Sequence, residues 1–170
     1  MRIKTDQEFE NLINLYYKLF FKIAFSYVRD EFEGEDIVQD ALANLLNTHK
    51  DFESLEHVKN WVIKVIINKS INYLREKSKI ILSDELVDNI QDNSNNNLSN
   101  NLNNYEIREC VYKLKVKNRN IIILYYFNGL DIKEISKILN ISTSNVTTRL
   151  NRARLELKIM IEERRKNDGK

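Results

Sequence analysis

No proline interrupts the 170 residues, and glycine occurs only at positions 34, 129 and 169. Proline removes a backbone donor and clashes inside a helix, and glycine weakens one, so a chain nearly free of both leaves long helices unimpeded. A hairpin-rich β protein needs more turn formers than this. Apolar residues recur at steps of three and four along most of the chain, the period of a helix with one buried face.

From Asp84 to Asn104 that pattern dissolves into DELVDNIQDNSNNNLSNNLNN, which has no apolar stripe to offset the entropy of ordering it. The expectation is an all-α chain of two small helical domains joined by a flexible Asn-rich linker: residues 1–80, a linker over 81–104, and residues 105–170. Each piece is small enough to be marginally stable alone.

The first piece reads as three helices. Thr5 and Glu8 form a capping box ahead of Phe9, Leu12, Ile13, Tyr16, Leu19, Phe20, Ile23 and Tyr27 at helical spacing. A second helix, about 33–46, turns Ile37, Val38, Ala41, Leu42, Leu45 and Leu46 inward and Glu33, Asp36, Gln39 and Asp40 outward. A third, about 54–79, buries Val58, Trp61, Val62, Val65, Ile66, Tyr73 and Leu74, and leaves Asn60, Lys64, Asn68 and Asn72 in a stripe that Arg75 and Lys79 extend.

In the second piece, Ile107, Cys110, Val111 and Leu114 mark one helix, and another, about 118–127, stops at Asn128 and Gly129. Asp131 and Glu134 form a capping box for a short helix carrying Ile135, Ile138 and Leu139. Asn140 tolerates the left-handed turn that follows, and Ser142 caps the last helix, whose buried face runs through Val146, Leu150, Ala153 and Leu157. A short scaffold helix, a tight turn and a longer capped helix define a helix-turn-helix.

Net charge divides the chain as its composition does. The total is only +2. Residues 1–58 carry six Lys/Arg against twelve Asp/Glu, 59–80 six against one, 81–110 one against six, and 111–170 fourteen against six. The near-neutral total is an average over an acidic face, a basic helix, an acidic linker and a basic C-terminal domain. Such alternation points to separate anionic contacts plus an acidic surface for something basic.

Several classes of function fall away. No apolar run reaches the ~20 residues of a membrane span, and the N-terminus turns acidic before a signal-peptide core could form, so a cytoplasmic protein without membrane insertion is expected. Cys110 is the single cysteine and His49 and His57 the only histidines, which leaves no disulfide framework and no zinc cluster. There is no glycine-rich phosphate loop and no nucleophile–base pairing, so no catalytic residues, cofactor or metal are expected.

Three polar surfaces remain. On the last helix Ser144, Asn145, Thr147, Thr148, Arg149, Asn151 and Arg152 have the hydrogen-bonding character that reads base edges and holds phosphates in a major groove. On the third helix Asn60, Lys64, Asn68, Asn72 and Arg75 combine uncharged donor–acceptor amides with cations, suited to an unpaired base and its backbone. Trp61 beside them is either a stacking platform or core. Asp36, Gln39 and Asp40 form an acidic face suited to a basic partner. Each surface can also be read as the solvated side of an ordinary helix.

Three motifs in order bring the alternatives together. EDIVQDALANLL (35–46), NWVIKVIINKSINYLREK (60–77) and GLDIKEISKILNISTSNVTTRLNRARLEL (129–157) resemble the extracytoplasmic function sigma factors, two-domain initiation subunits of bacterial RNA polymerase, from about Phe9 to Lys158. By that resemblance Asp36, Gln39 and Asp40 bind core polymerase. Asn60, Trp61, Lys64, Asn68, Asn72 and Arg75 capture the melted −10 strand, with the Phe52–His57 loop as the other wall of a base pocket. Val146, Arg149, Arg152, Ala153 and Arg154 match the family's −35 reader, which makes Ser144, Asn145, Thr147, Thr148, Arg149, Asn151 and Arg152 the duplex-reading set. Asn72 stands where the family usually has Asp, and Thr147 and Asn151 replace residues often basic or bulky, so the promoter sequence does not carry over. The resemblance implies no enzyme, a monomer acting with core polymerase and promoter DNA, and an anti-sigma factor as a further partner. The rival reading of the residues is a stand-alone helix-turn-helix regulator.

Overall fold

The computed structural model describes residues 6–83 and 98–168. Seven helices follow in order: α1 (Asp6–Val28), α2 (Glu31–Asn47), α3 (Leu55–Ser83), α4 (Leu98–Lys113), α5 (Val116–Ile122), α6 (Ile132–Leu139) and α7 (Thr143–Asp168). A π-helical turn at Ile123–Phe127 continues α5. No strand occurs among the described residues, as the scarcity of turn formers predicts. Thr5 and residues 84–97 lie outside the described residues, and with them the Thr5 cap and most of the expected linker; α3 continues to Ser83, and α4 begins at Leu98.

The first three helices enclose one core. Leu12, Phe20, Ile23 and Ala24 of α1 meet Val38, Ala41 and Leu45 of α2 and Val58, Val62, Ile63 and Ile66 of α3, all buried. Burying one such aliphatic side chain is worth ~1.5–3 kcal/mol, which is why the apolar stripe governs how the helices face one another. Leu46 departs from the expected inward face and is 55% exposed, because the stripe ends with Leu45 and the next position rotates off it.

Local chemistry sets the ends. The Asp30 carboxylate accepts from the Glu33 amide at 3.1 Å, and Glu31 and Glu33 in the first turn of α2 suit its positive end. Ser54 Oγ accepts from the His57 amide at 3.2 Å and so caps α3. Arg29 takes the left-handed conformation (φ 57°) that lets α1 stop and α2 begin two residues later.

The same apolar cluster continues into the second bundle through Val111 and Leu114 of α4, Ile121 and Ile122 of α5, Ile123, Leu124, Ile135 and Ile138, and Val146, Leu150 and Ala153 of α7. The run 121–124 is buried at every position, so no single face decides its geometry. The chain widens into the π turn there: the Asn128 amide reaches the Ile123 carbonyl at 3.2 Å and its side chain donates to the same oxygen at 3.0 Å. Gly129 follows with φ 69°, a conformation natural to glycine.

The two bundles pack against each other, α6 on α3 and the π turn on the end of α1.

Candidate nucleic-acid and docking surfaces

A short chain of turn chemistry orients α7. Asp131 and Glu134 cap α6 reciprocally at 2.8 and 3.0 Å. Asn140 then takes the left-handed conformation (φ 53°, ψ 52°), reversing the chain. Ser136 Oγ donates to the Ile141 carbonyl at 2.6 Å, and Ser142 Oγ accepts from the Asn145 amide at 3.1 Å. With Val146, Leu150 and Ala153 buried, α7 has no freedom to rotate, and its opposite face points away from the core.

On that face Ser144, Asn145, Thr147, Thr148, Asn151 and Arg152 are exposed and Arg149 is half-buried. Arg149 and Arg152 form no ion pair among the described residues, so both guanidiniums remain available to an anion. Thr147 Oγ1 donates to the Thr143 carbonyl at 3.0 Å, which leaves the hydroxyl oxygen and the methyl group for a ligand. Arg154, matched by sequence to the same pattern, is employed internally: Nε donates to the Tyr126 hydroxyl at 2.7 Å, and the guanidinium lies over the Tyr125 and Tyr126 rings at 5.8 and 5.6 Å.

The α3 stripe is one continuous edge. Lys64, Asn68, Asn72 and Arg75 are exposed, and Asn60 and Trp61 are half-buried near the start of the helix. Trp61 packs edge-on against Phe52 with ring centroids 5.7 Å apart, and Phe52 meets His57 in the same way at 5.4 Å. Where a loop over Phe52–His57 is expected, only 52–54 precede the helix and Leu55–His57 form the first turn of α3, because Ser54 caps it; the buried Phe52 anchors this entry beside the asparagine stripe. Trp61 is part core and part rim, a mixed state that periodicity alone does not reveal. The Asn60 side-chain oxygen is buried and takes no hydrogen bond from the protein.

On α2, Asp36, Gln39 and Asp40 are exposed together. The helix contains no basic residue, so every charge it carries is negative. Asp40 is held by a residue the sequence reading did not single out: Lys69 of α3 donates to it at 2.9 Å. No periodic signal connects positions 29 apart on two helices. Among the described residues no group of three or more His, Cys, Asp or Glu is placed to hold a metal, and no helix is long and apolar enough to cross a membrane. Cys110 is buried.

A second group that sequence reasoning missed lies between the domains. The Tyr112 hydroxyl donates to the Ser26 carbonyl at 2.6 Å and lies 3.1 Å from that of Tyr27, both in the last turn of α1. The Tyr27 hydroxyl donates to Asn120 Oδ1 at 3.0 Å. Burial pushes the Tyr27 and Tyr112 phenols above their ordinary range, against the pull of nearby arginines. Burial also lowers Arg119 beside them.

Two helical bundles, the second a helix-turn-helix with a free polar face, define the class: a two-domain DNA-reading architecture. The sigma-70 region 2 family profile matches residues 12–80, and the profile for sigma-70 region 4 matches residues 105–157. The RNA polymerase sigma factor SigV of Bacillus subtilis is 30% identical over 150 residues, covering 88% of this chain and 86% of that protein. The ECF RNA polymerase sigma factor SigW of the same organism is 25% identical, covering 94% and 92%. Among solved structures, the sigma factor RpoE in complex with the anti-sigma factor NepR from Bartonella quintana superposes with a TM-score of 0.62 at 18% identity, covering 92% of this chain and 98% of that one. CnrH in complex with the cytosolic domain of CnrY gives 0.66 at 19%, covering 94% and 90%. The chain belongs to the sigma-70 family and, within it, to the extracytoplasmic function sigma factors.

Proposed function

We propose that this chain docks on core RNA polymerase through the acidic face of α2, reads the −35 promoter element as duplex with α7, and captures the melted −10 strand with α3 and the residues 52–54 that lead into it. The observation that carries the reading is the free polar face of α7, fixed by the left-handed turn at Asn140 and the Ser142 cap. One well-placed side chain–base pair is worth ~1–3 kcal/mol, and the exposed members of this face can make several.

No covalent step is involved. Unstacking a base costs a few kcal/mol per step, comparable to what one amide-lined pocket returns. Mounting both readers on one enzyme makes the second contact intramolecular, so each domain can bind weakly and still act. A total charge of +2 suits such a protein, because a strong general attraction to DNA would compete with promoter selection. The chain acts as a monomer in the cytoplasm. An anti-sigma factor is a further partner, supported by the fold shared with two sigma factors solved in such complexes.

Co-elution with core polymerase on a sizing column, followed by binding of that complex to a promoter fragment with an unpaired −10 segment, tests the reading. Complex formation and preference for the unpaired fragment are expected. Tight binding to a palindromic duplex without polymerase would instead establish a stand-alone regulator.

A further inference from the structure

An isolated apolar side chain is ordinary on a protein surface, so its position decides what it means. Phe32 is 86% exposed, more than any other large apolar side chain among the described residues. It stands in the first turn of α2, three residues ahead of the acidic motif at 35–46, and forms no ring contact among the described residues.

Helical geometry places Phe32 in the acidic face. Steps of four, seven, eleven and fourteen positions return to nearly the same side of a helix, so Phe32 shares one stripe with Asp36, Gln39, Ala43 and Leu46, all exposed. Glu35 flanks that stripe on one side and Asp40 on the other, both exposed. Phe32 and Leu46 mark its two ends, about 21 Å apart at 1.5 Å per residue. Five carboxylates, Glu31, Glu33, Glu35, Asp36 and Asp40, and no cation lie on this helix.

The ring is presented on a fixed backbone. Arg29 turns the chain in the left-handed conformation, the Asp30 carboxylate caps the helix at the Glu33 amide, and Gly34 is buried where α2 lies against Phe21 and Phe25 of α1. An aromatic side chain has only two torsions to order in a complex, and aromatic residues carry a large share of binding energy where they fill a recess ringed by polar contacts. Exposed carboxylates act differently: they speed the encounter with a basic partner and are screened by salt.

We infer that Phe32 is the apolar anchor by which α2 holds core RNA polymerase, its ring filling a recess with a basic rim, while the carboxylates around it steer the approach. The inference rests on the proposed docking reading and adds to it a residue and a division of roles. Phe32 sets how long the complex lasts, and the acidic residues set how fast it forms.

Association and dissociation rates of the full chain with core polymerase, measured at low and high salt, test this. Phe32→Ala should raise the dissociation rate about ten-fold or more and leave the association rate and its salt dependence as in wild type. Its melting temperature should be unchanged, because the side chain lies outside the core. Phe32→Leu should keep most of the lifetime. Asp36→Asn should slow association at low salt, with a far smaller change in dissociation. A dissociation rate unchanged by Phe32→Ala overturns the inference, even where Asp40→Arg abolishes the complex. So does a free chain that self-associates on a sizing column and becomes monomeric with Phe32→Ala, which assigns the ring to a second copy. A wild-type chain that forms no polymerase complex removes the docking reading itself, a distinct failure seen before any variant is made.

Discussion

Lys69 Nζ donates to Asp40 Oδ2 at 2.9 Å, joining the acidic face of α2 to the basic edge of α3. The carboxylate is 67% exposed and the lysine 30%, so Asp40 still offers an oxygen to an incoming partner while Lys69 holds its orientation. The residue proposed for docking is thus prepositioned by the helix that neighbours it in the fold.

Asp40→Arg should abolish association with core polymerase while leaving the fold intact. An exposed pair contributes at most ~1 kcal/mol, so the melting temperature should fall by only a few degrees. Lys69→Ala provides the contrast, with the same small loss of stability and association reduced far less. Retained association of Asp40→Arg on a sizing column would remove the residue from the docking surface.

Arg152→Ala and Arg154→Ala should behave differently although they stand two positions apart. Arg152 is exposed and unpaired among the described residues, and its loss should weaken −35-dependent initiation by roughly 1–3 kcal/mol. Arg154 is committed to Tyr125 and Tyr126, so its loss should lower thermal stability first. Initiation rates on templates with intact and scrambled −35 elements separate the two: equal loss on both for Arg152→Ala would assign it to a phosphate.

Asn140 occupies a left-handed conformation at the turn between α6 and α7. Asn140→Ala should cost about 1 kcal/mol, because a Cβ without a local hydrogen-bonding group is strained there, whereas Asn140→Gly should be close to neutral. Thermal melting of the two variants gives the order directly, and an alanine variant as stable as wild type would show that the turn carries no strain.

The joint between the two bundles should weaken in alkali. Tyr27 and Tyr112 are both raised above the ordinary phenol value of 10.0, chiefly by burial, with Arg119 facing both and Arg29 and Arg108 facing Tyr112. A group whose folded value is raised contributes stability present below its unfolded value and lost as pH climbs through the folded one. Melting temperature should therefore hold up to about pH 9 and drop beyond about pH 10, less steeply for Tyr112→Phe. A drop of equal steepness in the two proteins would contradict the assignment to this residue.

The helices and their ends were legible in residue order because their determinants are local. The Asp131–Glu134 box, the left-handed Asn140 and the Ser142 cap each act within four positions, and all are present. Leu46 shows the limit of that reading: apolar character alone does not place a residue on the buried stripe when it sits one step past its edge. The π turn at 123–127 was beyond reach for a related reason, since four successive buried residues carry no period. The Asp40–Lys69 pair and the Tyr27, Tyr112 and Asn120 cluster depend on positions 29 to 93 apart. Such partners become adjacent only once the helices pack, and no spacing along the chain announces them.

Run-off transcription with the purified chain and core polymerase on a library of promoter fragments tests the central claim most directly. The account predicts specific transcripts from a subset of templates, lost when either the −35 or the −10 element is scrambled. Transcription no different from core polymerase alone, on every template, would contradict it.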